Sequence, residues 1–130
     1  MEHSLSRAEL LLGKAALARL AQARVAVIGL GGVGSHAAEA LARCGVGTLL
    51  LVDSDRVALS NLNRQLLATT QTVGELKTQA MAGRIALVAP QVSVEVRELF
   101  VLPENVAQLL DPAPDYVIDA IDTVSAKLAL

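Results

Sequence analysis

The sequence predicts an α/β fold: a mostly parallel sheet with helices on both faces, preceded by an N-terminal helix. Three observations predict it. Val25-Ala26-Val27-Ile28 runs straight into Gly29-Leu30-Gly31-Gly32-Val33-Gly34, a buried strand followed by a tight glycine turn and the start of a helix. A second apolar run, Thr48 to Val52, ends in the acid Asp53, which follows Gly34 at about the 20-residue spacing of a nucleotide-binding strand–turn–helix–strand unit. Strand and helix patterns then keep alternating along the chain, as a parallel sheet with helical crossovers requires.

Taken in order, residues 6–21 read as an amphipathic helix, or two short ones broken at Gly13, with Leu10, Leu11, Ala15, Leu17 and Leu20 able to share a face. After the first strand a helix is expected from Gly32 to Cys44, closed by Gly45. Residues 54–71 are polar and hold Asp55, Arg56, Asn61, Asn63, Arg64 and Gln65 without a glycine or proline, which reads as a binding loop. Thr72 and Glu75 have the spacing of a capping box for a helix over Val73–Val88, stopped by Pro90. Val92–Leu99 alternates as a strand, Pro103 suits the first turn of a short helix over 104–110, and Tyr116–Asp122 is the next strand and its exit. A last helical pattern begins at Thr123, so the 130 residues are expected to form the N-terminal half of a longer protein.

Composition sets the bounds. A chain of 130 residues that is 53% hydrophobic can bury a core and is not disordered. A net charge of −2 gives no global attraction to nucleic acid or anionic membrane, so an RNA contact has to be local. One cysteine precludes an internal disulfide and fits a reducing compartment. There is no apolar run of membrane-spanning length and no signal peptide at the start, so the expected location is the cytoplasm, with no integral membrane association.

The chemistry rests on a few side chains. A glycine turn with an acid at the next strand end serves a nicotinamide dinucleotide as well as a triphosphate. Asn61, Arg64 and Lys77 tip the balance, because cationic and amide groups beside the turn can balance the charge of a triphosphate and of a leaving pyrophosphate. Lys77 is expected in the first turn of its helix, where a cation opposes the dipole; the plain alternative is an exposed surface lysine. Asp53 could also be a turn acid, and Asp119 and Asp122 could be helix caps; Asp122 at a strand exit is otherwise a suitable oxygen ligand for a divalent ion. Cys44, near a helix C-terminus where the dipole disfavours a thiolate, reads as a buried packing residue rather than an acyl acceptor.

Five segments in order, Gly29–Gly34, Val52–Asp55, Ser60–Gln65, Val73–Lys77 and Asp119–Asp122, resemble the ubiquitin-activating-enzyme-like superfamily, whose bacterial members include adenylyltransferases for molybdopterin synthase and for the thiamine sulfur carrier. Within it, Ser6–Gly13 and Tyr116–Lys127 are most similar to the tRNA threonylcarbamoyladenosine dehydratase branch.

That resemblance implies a Rossmann-like adenylation domain over residues 24–130, incomplete at its C-terminal side, after a helical segment over residues 1–23. It implies ATP and magnesium as cofactors. The nucleotide would be held by Gly29, Gly31, Gly32 and Gly34, by Asp53 and Asp55, and by Asn61, Arg64, Gln65 and Lys77. Arg64 and Lys77 would act on the phosphates and Asp122 would carry the metal. Arg7 would be lent across a homodimer interface to the neighbour's ATP. The implied reaction is adenylation of the carboxylate of threonylcarbamoyladenosine in the tRNA anticodon loop, followed by ring closure. With only Phe100 and Tyr116 to stack on bases, most tRNA contacts are expected outside this half. The alternatives are adenylation of the C-terminal glycine of a ubiquitin-like sulfur carrier, with a sulfur-transfer protein as partner, a nicotinamide-dependent oxidoreductase, and a non-catalytic product.

Overall fold

The computed structural model describes Leu5 and residues 13–121. Arg7, Asp122, the first part of the N-terminal helix and the helix expected from Thr123 lie outside the described residues.

The elements run α1 (Lys14–Gln22), β1 (Arg24–Ile28), α2 (Gly32–Arg43), β2 (Thr48–Val52), a single 3-10 turn (Leu59–Asn61), α3 (Lys77–Val88), β3 (Ser93–Arg97), α4 (Val106–Leu109) and β4 (Tyr116–Asp119). The four strands form one parallel sheet in the order β3-β2-β1-β4. This is the Rossmann-like arrangement that the alternating pattern predicts. Side chains of a strand point alternately to its two faces. Val25, Val27, Leu49 and Leu51 therefore join one apolar cluster with Ala38 and Ala42 of α2 and Met81 and Ile85 of α3. Ala26, Ile28, Leu50 and Val52 join a second, with Val101, Val106 and Leu109. Both faces are covered, which is why β1 after Arg24 and β2 after Thr48 are apolar without interruption.

The chain builds outward from β1 through β2 to β3 and then returns to the other side of β1 as β4. The strand order reverses between β1 and β4, and a crevice opens at the carboxyl ends of the strands there. Gly29 sits in the reversal. Its N–H donates to the carbonyl of Val52 at 2.8 Å, and Ala120 N–H donates to the carbonyl of Ile28 at 2.9 Å.

Four local expectations need correction. α3 begins at Lys77, not Val73, because Gly74 adopts φ +92° and Arg56 bridges Leu76 in an antiparallel pairing. Thr72 does not cap that helix: its hydroxyl donates to the Leu67 carbonyl and accepts the Thr69 N–H, closing a turn before it. The helix expected from Glu104 is one turn, Val106–Leu109, since Asn105 bonds back to Leu102 and Phe100. Cys44 is exposed rather than buried, at the C-terminal cap of α2. Gly13, at φ +83°, directly precedes α1, and Gly45 closes α2 at φ +92°.

Candidate functional site

A cleft of about 380 Å³ lies at the carboxyl ends of β1, β2 and β4. Gly29, Gly31, Gly32, Asp53, Asp55, Asn61, Arg64, Gln65 and Lys77 all line it. Gly34 does not; it lies beneath the turn. Apolar walls come from Ile28, Leu30, Val52, Leu99, Phe100, Val101 and Ile121. The stretch 99–101 after β3 was not singled out as part of the site from sequence. Its signal, apolar residues just beyond a strand's carboxyl end, is too common to be specific.

The four glycines of the turn divide into two kinds. A Cβ on Gly34 would stand 1.7 Å from the carbonyl oxygen of Gly29, and one on Gly29, which has φ +96°, would stand 2.7 Å from that of Ala120. The close backbone packing of turn, helix and β4 demands both. A Cβ on Gly31 would meet nothing nearer than Gln65 Nε2 at 3.8 Å, and one on Gly32 nothing nearer than the Arg64 carbonyl at 3.7 Å. The fold leaves room for side chains at these two positions, and they face the cleft. Their lack of side chains keeps the backbone N–H groups at the start of α2 open to an incoming anion.

Asp53 holds the turn. Its Oδ2 accepts the Leu30 N–H at 2.7 Å and its Oδ1 accepts the Asp55 N–H at 2.7 Å. Ser35, fully buried, donates to the Gly31 carbonyl at 2.6 Å and accepts the Leu66 N–H at 3.3 Å, tying the turn to the polar loop. The sequence reading did not select Ser35. His36 of α2 bonds through Nδ1 to the Gly32 carbonyl at 2.7 Å.

The polar loop is ordered by its own side chains. Asn61 is buried; its Oδ1 accepts the Ala58 N–H at 2.8 Å and its amide nitrogen makes no hydrogen bond among the described residues. Arg64 lines the cleft with its guanidinium bonded to the Ser60 carbonyl at 3.0 Å and to Asn63 Oδ1 at 3.1 Å. Gln65 is 6% exposed and its Oε1 has no partner among the described residues.

Lys77 is the decisive group. It is 7% exposed, against the surface-lysine alternative, and its ammonium has neither a carboxylate nor a hydrogen-bond acceptor among the described residues. Its backbone N–H is held by the Asp55 carbonyl at 3.0 Å, which fixes the start of α3 at the cleft wall. A cation held at the cleft on a buried stem, without a partner among the described residues, suits an anion there. The described residues contain no cluster of three or more metal-ligating side chains.

Comparison with known proteins places the chain among relatives. A Bacillus subtilis protein named tRNA threonylcarbamoyladenosine dehydratase is 50% identical over 130 residues, which is 100% of this chain and 51% of that one. A sulfur carrier protein adenylyltransferase of Thermus thermophilus is 40% identical over 109 residues, 84% of this chain and 40% of the relative. The crystal structure of Escherichia coli tRNA N6-threonylcarbamoyladenosine dehydratase, TcdA, in complex with ATP matches with a TM-score of 0.95 at 46% identity, covering 98% of this chain and 52% of that chain. The chain thus spans about half the length of these dehydratases. Residues 5–130 match the ThiF family throughout, and on that match the chain belongs to the ThiF family.

Proposed function

We propose that the cleft binds ATP and that this chain carries the adenylation half of a tRNA threonylcarbamoyladenosine dehydratase. The observation that carries the reading is that Lys77, whose ammonium has no partner among the described residues, lines with Gly31 and Gly32 one cleft with space for a nucleotide. The 50% identity to a relative of that name and the likeness to an ATP-bound structure favour this substrate over the sulfur carrier. Membership of the ThiF family weighs against a nicotinamide oxidoreductase.

In this reading the α2 N-terminus, with Gly31 and Gly32, receives the phosphates and Lys77 neutralises them. Asp53 retains lone pairs for ribose hydroxyls beyond the two backbone bonds it accepts. The free amide of Asn61 and the carboxamide of Gln65 supply further polar contacts. Arg64 exchanges its loop carbonyl for the phosphates, and Asp55 at the rim completes the set. Asp122 would hold magnesium and Arg7 would serve the neighbouring protomer of a homodimer. Magnesium held by Asp122 would offset charge on the phosphates.

A carboxylate is a poor electrophile because oxide would have to leave. Its oxygen attacks the α-phosphorus, the bond to pyrophosphate breaks, and pyrophosphate departs. A nucleophile of the same modified nucleoside then attacks the activated carbonyl, AMP leaves with the former carboxylate oxygen, and the ring closes with net loss of water. No side-chain nucleophile is needed, since the attacking group is held within the substrate at high effective concentration. The exposed Cys44 is therefore left without a role in this chemistry. The tRNA would be gripped through its anticodon loop mainly by sequence beyond this half. The cytoplasm is the expected compartment; no helix among the described residues is long and apolar enough to cross a membrane.

The test is incubation of the purified protein with ATP, magnesium and tRNA bearing threonylcarbamoyladenosine, then digestion and mass spectrometry. The expected product is the nucleoside minus one water, formed only with ATP. Absence of that product, together with ATP–pyrophosphate exchange driven by a sulfur carrier protein, would transfer the assignment to the sulfur-carrier reaction and supply the sulfur-transfer partner.

A further inference from the structure

Away from the cleft wall, one ion pair joins the two helices that begin there. Glu39 of α2 and Arg84 of α3 are bonded through Oε1 and Nε, and Arg43 reaches the other oxygen of Glu39 at 3.4 Å. Among the described residues no other ion pair links two helices. Glu39 lies seven residues beyond Gly32, the first residue of α2, and Arg84 lies seven residues beyond Lys77, the first residue of α3. Seven residues are about two helical turns, or roughly 10 Å of axis. The pair therefore sits at the same depth on both helices, and their N-termini project equally from it toward the cleft.

The apolar cluster beneath them takes Ala38 and Ala42 from α2 and Ala80, Met81 and Ile85 from α3, with Leu41 and Val88 packed against it. Such apolar contact is not directional. A charge-assisted hydrogen bond is directional. The Glu39 side chain is 12% exposed, so the bond is only partly open to water, and the flanking guanidiniums hold its carboxyl below the usual range.

We infer that Glu39 and Arg84 are positioning residues, whose bond sets the distance between the glycine turn and Lys77 and thereby the fit to a polyphosphate. This rests on the reading of the cleft as a phosphate site. Neither residue lines the cleft, so any effect must pass through the helices.

The test measures ATP and adenosine affinities of the purified protein and its variants. Arg84→Gln should weaken ATP roughly tenfold, as small misplacements of binding groups do, while adenosine, which lacks phosphates, binds as before. Arg84→Lys, which keeps the charge and most of the reach, should recover much of the loss. If Arg84→Gln does not fold, Glu39→Gln, which preserves shape, is read in its place. Equal loss for ATP and adenosine, or no loss for ATP, overturns the inference. Lys77→Met is run alongside. If it leaves the preference for ATP over adenosine unchanged, the phosphate reading fails and takes this inference with it. If Lys77→Met loses that preference and Arg84→Gln keeps it, the positioning role alone is refuted.

Discussion

Oδ2 of Asp53 accepts the backbone N–H of Leu30 at 2.7 Å, so the acid that ends β2 holds the glycine turn that ends β1. One carboxylate thus joins the fold to the site. Asp53→Ala removes acceptors from two backbone N–H groups, those of Leu30 and Asp55. The expected loss is about 1–3 kcal/mol of stability, the usual range for orphaning a part-buried hydrogen-bonding group, together with weaker ATP binding. Asp53→Asn should rescue little, because its NH2 would face a donor. Urea unfolding and calorimetric titration check both effects. A variant of unchanged stability would mean the turn holds its shape unaided.

Lys77 should be a residue whose removal spares folding and harms function. Its residue is largely buried, while its ammonium, without a partner among the described residues, stays open to the cleft. Lys77→Met keeps the length of the side chain and removes the charge. The nucleotide-free variant is expected to keep its stability within about 1 kcal/mol and to lose most of the thermal stabilisation that ATP gives the parent. A variant still stabilised by ATP as the parent is would contradict the assignment of Lys77 to the phosphates.

These two residues also mark what could be read from the chain. β1 and β2 were legible because their burial on both faces forces an unbroken apolar run, and Asp53 because strand periodicity places it at a carboxyl end. The burial of Lys77 was not legible. It depends on the loop folding back, with Gly74 at φ +92° and Leu76 bridged to Arg56, and that long-range pairing outweighs the local capping pattern of Thr72 and Glu75. The same limit hid Ser35, whose hydroxyl meets Leu66 across 31 residues, and the Glu39–Arg84 pair, 45 residues apart. Local spacing reports elements; contacts between distant segments leave no periodic trace.

Two glycines two residues apart should respond oppositely to one methyl group. Gly34→Ala puts a Cβ 1.7 Å from the Gly29 carbonyl oxygen, a backbone atom that cannot swing aside, with Ala120 Cβ at 3.4 Å. Its expected cost exceeds about 4 kcal/mol, beyond what most single substitutions do, and the protein should not accumulate folded. Gly32→Ala finds its nearest neighbour at 3.7 Å and lies at the start of a helix, so stability should change by less than about 1 kcal/mol. ATP affinity should nevertheless fall, since the added methyl projects where the nucleotide approaches. Circular dichroism and titration of both variants decide the matter. A folded Gly32→Ala protein with parental ATP affinity would show that the turn does not meet the phosphates.

The acid limb of the stability profile should be set in part by a pair far from the cleft. Arg24, the first residue of β1, reaches across β2 to Glu95 of β3, with Nη1–Oε2 at 2.6 Å and Nη2–Oε1 at 3.2 Å. The hydrogen bond from Arg24 is the largest influence on the Glu95 carboxyl and holds it below its ordinary value of 4.5, against a smaller opposing effect of burial. A carboxyl whose folded pKa is depressed binds fewer protons folded than unfolded around its ordinary pKa. Its stabilisation is present in full above that value and is lost as the pH falls through the lowered folded one. Glu39 acts in the same direction through Arg84. Urea unfolding at descending pH should therefore show a shallower acid loss for Glu95→Gln than for the parent. Arg24 opens β1 at the end away from the glycine turn, so ATP affinity should not change in that variant. Parallel acid profiles for the two proteins would place the Glu95 carboxyl at its ordinary value and reduce the pair to a contact without linkage.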